Sequence, residues 1–209
     1  MPVNSVAERR ERTLFLVEAA MLTAIIIIMA FTPLGFLKVG VVEITFLTVP
    51  VAVGAVMMGR KGGLILGTVF GLASFVQCFG MSPLGVFLMG INPFLTFVVC
   101  VIPRVLTGFL TGLIYDLVSK YETRGSLGTC IVASILCPIF NTLFFVSAFA
   151  LCFGFNPEVL AFFGQSSLLG IITLLLTFNA LIEAGVCTVI GTAVSKATVA
   201  AVGRIRGEK

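Results

Sequence analysis

Residues 92–118 read NPFLTFVVCVIPRVLTGFLTGLIYDLV, and this stretch decides the fold class. It holds 27 residues with two charges, Arg104 and Asp116. About 20 mainly apolar residues, rising 1.5 Å each, suffice to cross the hydrocarbon core of a bilayer. Pro93 stands at the first helical position, where its missing N–H removes no helix hydrogen bond. The stretch is therefore expected to be a transmembrane helix.

Five further segments have the same character. They cover 13–32, 44–58, 64–79, 127–153 and 168–194, with the second of the six spans shorter than the rest. Residues 195–209 form a polar, basic tail. The whole chain agrees: 59% of its 209 residues are hydrophobic and 11% charged, against about half and a quarter in soluble domains. So large an apolar excess has no place on a water-facing surface. The expected fold is an all-α integral membrane protein. One membrane domain spans 1–209, with six transmembrane helices and apolar outer loops capping a central cavity.

Charge placement orients it. With the N-terminus inside, the inner segments hold Arg9, Arg10, Arg12, Arg60, Lys61, Lys120, Arg124, Lys196, Arg204, Arg206 and Lys209. The outer loops hold only Lys38, and Arg104 lies within a span. This asymmetry predicts a multi-pass protein of the cell membrane with both termini cytoplasmic. The net charge of +4 is thus a topology signal, and the scattered basic residues form no patch for nucleic acid.

The outer loops are unusual. Residues 33–43 (PLGFLKVGVVE), 80–91 (GMSPLGVFLMGI) and 154–167 (GFNPEVLAFFGQSS) are long, apolar and rich in Gly and Pro. They are expected to fold back over the bundle as a lid or re-entrant cap, since protein-buried irregular backbone is tolerated at membrane depth. Gly63, Gly67 and Gly71, together with Gly108 and Gly112, recur every four residues and predict close helix packing.

Composition excludes much chemistry. The chain has no histidine and no tryptophan. Imidazole metal sites and Ser-His or Cys-His nucleophile systems are absent with the histidine. No G-x-x-x-x-G-K-[ST] run exists for ATP. Asp116 is the only aspartate, which excludes an aspartyl dyad, and no acidic cluster exists to hold a metal. The six cysteines lie in or beside apolar runs without a C-x-x-C pair, as small buried hydrophobes do. Neither an enzyme nor a cofactor is expected.

Ionisable residues deep in a bilayer face the protein interior and find partners. Glu18 and Asp116 lie near the inner ends of their spans, within reach of water. Arg104 and Glu183 fall near mid-membrane, with Asn141 at similar depth and Asn179 one turn from Glu183. Two readings compete for this polar layer: mutual neutralisation of Arg104 and Glu183, or a cavity that binds a polar solute. Gln77 and Asn92, near the outer mouth, are placed for a ligand arriving from outside.

The combined pattern resembles the substrate-binding S-component of energy-coupling factor (ECF) transporters, from about Leu14 to Val194. The run Pro50-Val51-Ala52-Val53-Gly54-Ala55, followed by Gly59-Arg60-Lys61-Gly62-Gly63, is similar to that family, although many members carry Pro where Arg60 stands. Ala20-Met21-Leu22-Thr23-Ala24 matches its A-x-x-x-A motif. The resemblance implies that Ala20 and Ala24 dock on the coupling transmembrane subunit, which works with two ATPases. It also implies a high-affinity site for a vitamin or similar micronutrient in the outer half, roofed by the three outer loops. Ile91-Asn92-Pro93-Phe94 and Pro103-Arg104-Val105-Leu106 are most similar to members assigned to pantothenate, while riboflavin carriers share the general pattern. An anionic substrate suits Arg104, or Lys38, as carboxylate partner. The substrate-binding set is then Gln77, Asn92, Arg104, Asn141, Asn179 and Glu183, with no catalytic or metal-binding residue. The alternative is a six-helix structural scaffold in the membrane, which needs no ligand pocket.

Overall fold

A computed structural model of the chain describes residues 3–33, 35–39, 42–122, 125–164, 167–175 and 180–206. Helix α1 (Val3–Ala30) leads to an antiparallel hairpin, β1 (Phe36–Val39) with β2 (Val42–Thr45), in which Phe36 faces Thr45. Then come α2 (Thr48–Gln77), α3 (Pro83–Ile91), α4 (Pro93–Val118), α5 (Leu127–Phe153) and α6 (Pro157–Phe162). Helices α7 (Leu168–Leu175) and α8 (Leu181–Val186), a π-helical turn (Cys187–Gly191) and α9 (Thr192–Arg206) complete the chain.

Among the described residues five helices are long and apolar enough to cross a membrane, where the sequence suggested six spans. The difference lies mainly in α2. The expected spans 44–58 and 64–79 are joined through one residue, Gly59, whose φ of 63° and ψ of −152° are not helical. Such a positive φ suits glycine, which has no β-carbon to clash. The chain folds back there: a β-carbon on Gly62 would lie 2.8 Å from the carbonyl oxygen of Gly54, eight residues earlier. In a straight helix that separation is about 12 Å. The first arm of α2 (48–58) is about 16 Å long, too short to span alone. Its expected start at 44 is taken instead by β2, which runs to Thr45.

The turn at Gly59 is held from α4. Asp116 Oδ2 accepts a hydrogen bond from the Arg60 N–H at 3.0 Å, placing a carboxylate at the start of the second arm (60–77). Asp116 is half-buried there and anchors a helix. Glu18, expected within reach of water, is buried.

The second arm packs antiparallel to α4 through the glycines. A β-carbon on Gly63 would strike the Gly108 carbonyl, one on Gly67 would lie 2.5 Å from the Arg104 carbonyl oxygen, and one on Gly71 would meet Val101. Backbones this close leave no room for side chains, the packing role expected of this spacing.

Two of the three apolar loops expected on the outside hold short helices. Ser82 caps α3 by accepting from Gly85 N–H, Asn156 caps α6 by accepting from Glu158 N–H, and each helix has Pro in its first turn. Phe87 of α3 stacks on Phe162 of α6, with centroids 4.3 Å apart. Beneath them Leu88, Val99, Phe149, Val159, Phe163 and Ile171 form an apolar cluster. The third loop is the hairpin, two four-residue strands in a mainly helical membrane fold.

The last expected span, 168–194, differs as well. Regular α-helix is interrupted by the π turn, and α9 continues to Arg206 through residues expected to be a polar tail. Contacts place the ends of these elements. Gln77 Nε2 donates to the Ala30 carbonyl, so α1 and the second arm of α2 finish at one end of the bundle. At the other end lie Gly59, Asp116 and Gly125, whose carbonyl accepts from Lys196 Nζ of α9 at 2.9 Å.

Candidate functional site

Under α3, and beside the hairpin, a cavity of about 80 Å³ opens between the second arm of α2, α4 and α5. Phe36 and Thr45 reach it from the hairpin, and Ser82, Gly85 and Leu88 from the α3 region. Its walls are mostly apolar, with a few polar groups converging.

Arg104 is the central one, and its neighbour Pro103 sets its position. Proline has no N–H, so the carbonyl four residues back, that of Val99, loses its helical partner. Arg104 Nη1 donates to that carbonyl at 2.8 Å. The guanidinium carbon sits 4.5 Å from the Phe145 ring centroid and 5.6 Å from that of Phe70. Two aromatic faces thus stabilise the cation in a low-dielectric interior. Its Nε is buried without a hydrogen-bond partner.

Arg104 and Glu183 form no ion pair within 4.0 Å. Glu183, 1% exposed, accepts through Oε1 from Asn141 Nδ2 at 3.1 Å, and its Oε2 has no hydrogen bond. Asn141 bridges two regions. It lines the cavity beside Arg104 and holds Glu183 behind the wall. Its own Oδ1 is unpartnered, as are Ser74 Oγ and Thr142 Oγ1, which also line the cavity. Buried polar groups are nearly always hydrogen-bonded, so a cluster of exceptions around one space needs an explanation.

The other anticipated residues divide. Gln77 lines the cavity while its amide nitrogen tethers the end of α1. Asn92 does not line it. Its Oδ1 accepts from the Phe94 and Leu95 N–H groups at 3.0 and 3.1 Å, so it caps α4. Asn179 and the side chain of Lys38 lie outside the described residues. Ala20 and Ala24 do not line the cavity and lie on an exposed face of α1 with Met21 and Ile28.

Sequence reasoning missed Ser74, Thr142, Phe145, Cys78 and Cys100. Ser74, Gln77 and Cys78 do share one helix face by i, i+3, i+4 spacing, as Cys100 and Arg104 do by i, i+4. That signal was available, but small polar residues in apolar helices are common. Among the described residues no group of three His, Cys, Asp or Glu side chains is placed to hold a metal ion.

Over residues 14–195 the chain matches the protein family described as ECF transporter, substrate-specific component. No individually curated protein matches it.

Proposed function

The chain belongs to the family of substrate-specific components of ECF transporters, and from this premise we propose that it captures a vitamin-like micronutrient with high affinity. It is a multi-pass membrane protein and a transport component. Its partners are a small-molecule substrate and the other components of an ECF transporter. In our reading these are a coupling transmembrane subunit, met by Ala20 and Ala24, and two ATPases that supply the energy this chain has no P-loop to extract.

We read 1–209 as one domain of the cell membrane with both termini cytoplasmic. The basic residues at the Gly59 end, Arg60, Lys61 and Lys120, support that orientation. The cavity then lies towards the outside, under α3 and the hairpin.

One observation carries the ligand reading: the convergence of Arg104 with unpartnered atoms of Ser74, Asn141 and Thr142 on a single cavity. A carboxylate can take the guanidinium edge, and hydroxyl or amide groups can satisfy the others. Pantothenate has a carboxylate, an amide and hydroxyls, and we place it ahead of riboflavin, which has no carboxylate. Gln77 and Asn141 would complete its hydrogen bonds, with Glu183 fixing Asn141 from behind.

Native mass spectrometry of the gently purified protein tests this. Pantothenate released on denaturation is the expected result. If no small molecule is retained, and neither pantothenate nor riboflavin added at saturation raises the melting temperature, the reading of these two vitamins as substrates falls.

A further inference from the structure

Two thiols in the cavity wall have no part in the reading above. Cys78 directly follows α2, and Cys100 lies on α4 one turn before Arg104. Both are buried, both line the cavity, and their Sγ atoms are 3.6 Å apart. A disulfide holds its sulfurs about 2.05 Å apart, so closure needs a movement of only about 1.5 Å. Between these cysteines the chain runs through α3, which roofs the cavity. The roof rests on one of the sulfurs: a β-carbon added to Gly85 of α3 would lie 2.6 Å from Cys78 Sγ.

We propose that Cys78 and Cys100 are a site of reversible oxidation, converted to a disulfide by hydrogen peroxide entering through the cavity, and that this bond clamps α3 over the ligand space. One thiol gives up its proton, its sulfur attacks one peroxide oxygen and the O–O bond breaks, so that the departing hydroxide takes the proton as water and a sulfenic acid remains. The second thiol attacks that sulfur, the S–S bond forms, and a second water leaves. Two thiols are oxidised by two electrons and hydrogen peroxide is reduced. The cavity lies at the end of the bundle that we assign to the outside, where disulfides persist. That assignment alone is shared with the transport reading.

The clamp acts by restricting α3. In the reduced chain the segment 79–99 is tied to the wall by packing and by the Ser82 and Asn92 caps. In the oxidised chain a covalent link joins its two ends. Local opening of α3 is then opposed by loop closure as well as by packing.

The test needs no ligand, so its failure is distinct from failure of the transport reading. The purified full chain is treated with hydrogen peroxide, digested without reduction, and compared with untreated protein by hydrogen–deuterium exchange. A peptide linking Cys78 to Cys100 is expected, with amide exchange over residues 83–91 slowed about tenfold and restored by dithiothreitol. Cys78→Ser and Cys100→Ser, close in size to the native residues, should each lose both effects. Absence of the link overturns the proposal, as does a link between other cysteines instead. A Cys78–Cys100 link that leaves exchange over 83–91 unchanged overturns the clamp. Because linkage and exchange are read on the native sequence, a variant that fails to fold leaves the test decisive.

Discussion

Pro103 and Arg104 act as a pair. The proline frees the Val99 carbonyl, and the arginine spends one of its five donors there while its cationic plane lies against Phe145. The fork is fixed before any ligand arrives, which reduces the ordering cost of binding. Replacing Arg104 with Gln should weaken pantothenate binding by about 2–5 kcal/mol, the range for losing one partner of a buried charge pair. Calorimetric titration measures it. With no ion pair to Glu183, the double variant Arg104→Gln/Glu183→Gln should regain no affinity. Recovery of affinity in the double variant would make Arg104 a counter-ion to Glu183 and move the site elsewhere.

At the scale of elements, the second arm of α2 and α4 are held at backbone contact by glycine. A β-carbon on Gly108 would strike the Gly63 carbonyl and lie 3.0 Å from the Gly67 α-carbon, so neither side can yield by rotating a side chain. Gly108→Ala should therefore destabilise the protein by about 1–3 kcal/mol, as overpacking does. Gly90→Ala on α3 is the matched control, since nothing lies within 4 Å of the added carbon. A thermal melt in detergent compares them. Equal melting temperatures would mean that α2 and α4 separate without penalty, and the close contact would lose its structural meaning. The same contact carries Arg104, because its carbonyl faces Gly67.

For the whole molecule, one flank stands out. Helix α1 buries Ile26 and Ala30 inward but leaves Leu16, Met21, Ile25 and Ile28 exposed around Ala20 and Ala24. Two small residues amid larger apolar ones make a groove that another helix can approach closely. Ala20→Trp with Ala24→Trp should abolish co-purification with the coupling subunit and leave ligand affinity unchanged, because neither residue lines the cavity. Retained co-purification would remove these alanines from the docking surface. Loss of ligand binding as well would point to misfolding, which a melt of the isolated chain identifies.

By itself the sequence determined the membrane character, most helix positions and the family. Apolar length, basic asymmetry and glycine spacing are local properties that survive reading one residue at a time. It also marked Gln77, Arg104 and Asn141, because a polar side chain at membrane depth needs a reason to be there. Tertiary structure alone decided which polar groups meet. Asn92 has the composition of a site residue, yet its oxygen is occupied by two backbone N–H groups. Arg104 and Glu183 are opposite charges at matching depth, yet Val99 and Phe145 hold one while Asn141 holds the other. The fold-back at Gly59 depends on Asp116, 57 positions later in the chain, and the approach of Cys78 to Cys100 on two neighbouring elements. Depth along a helix follows from counting residues at 1.5 Å each, but direction around it and the choice of neighbour depend on packing between distant segments.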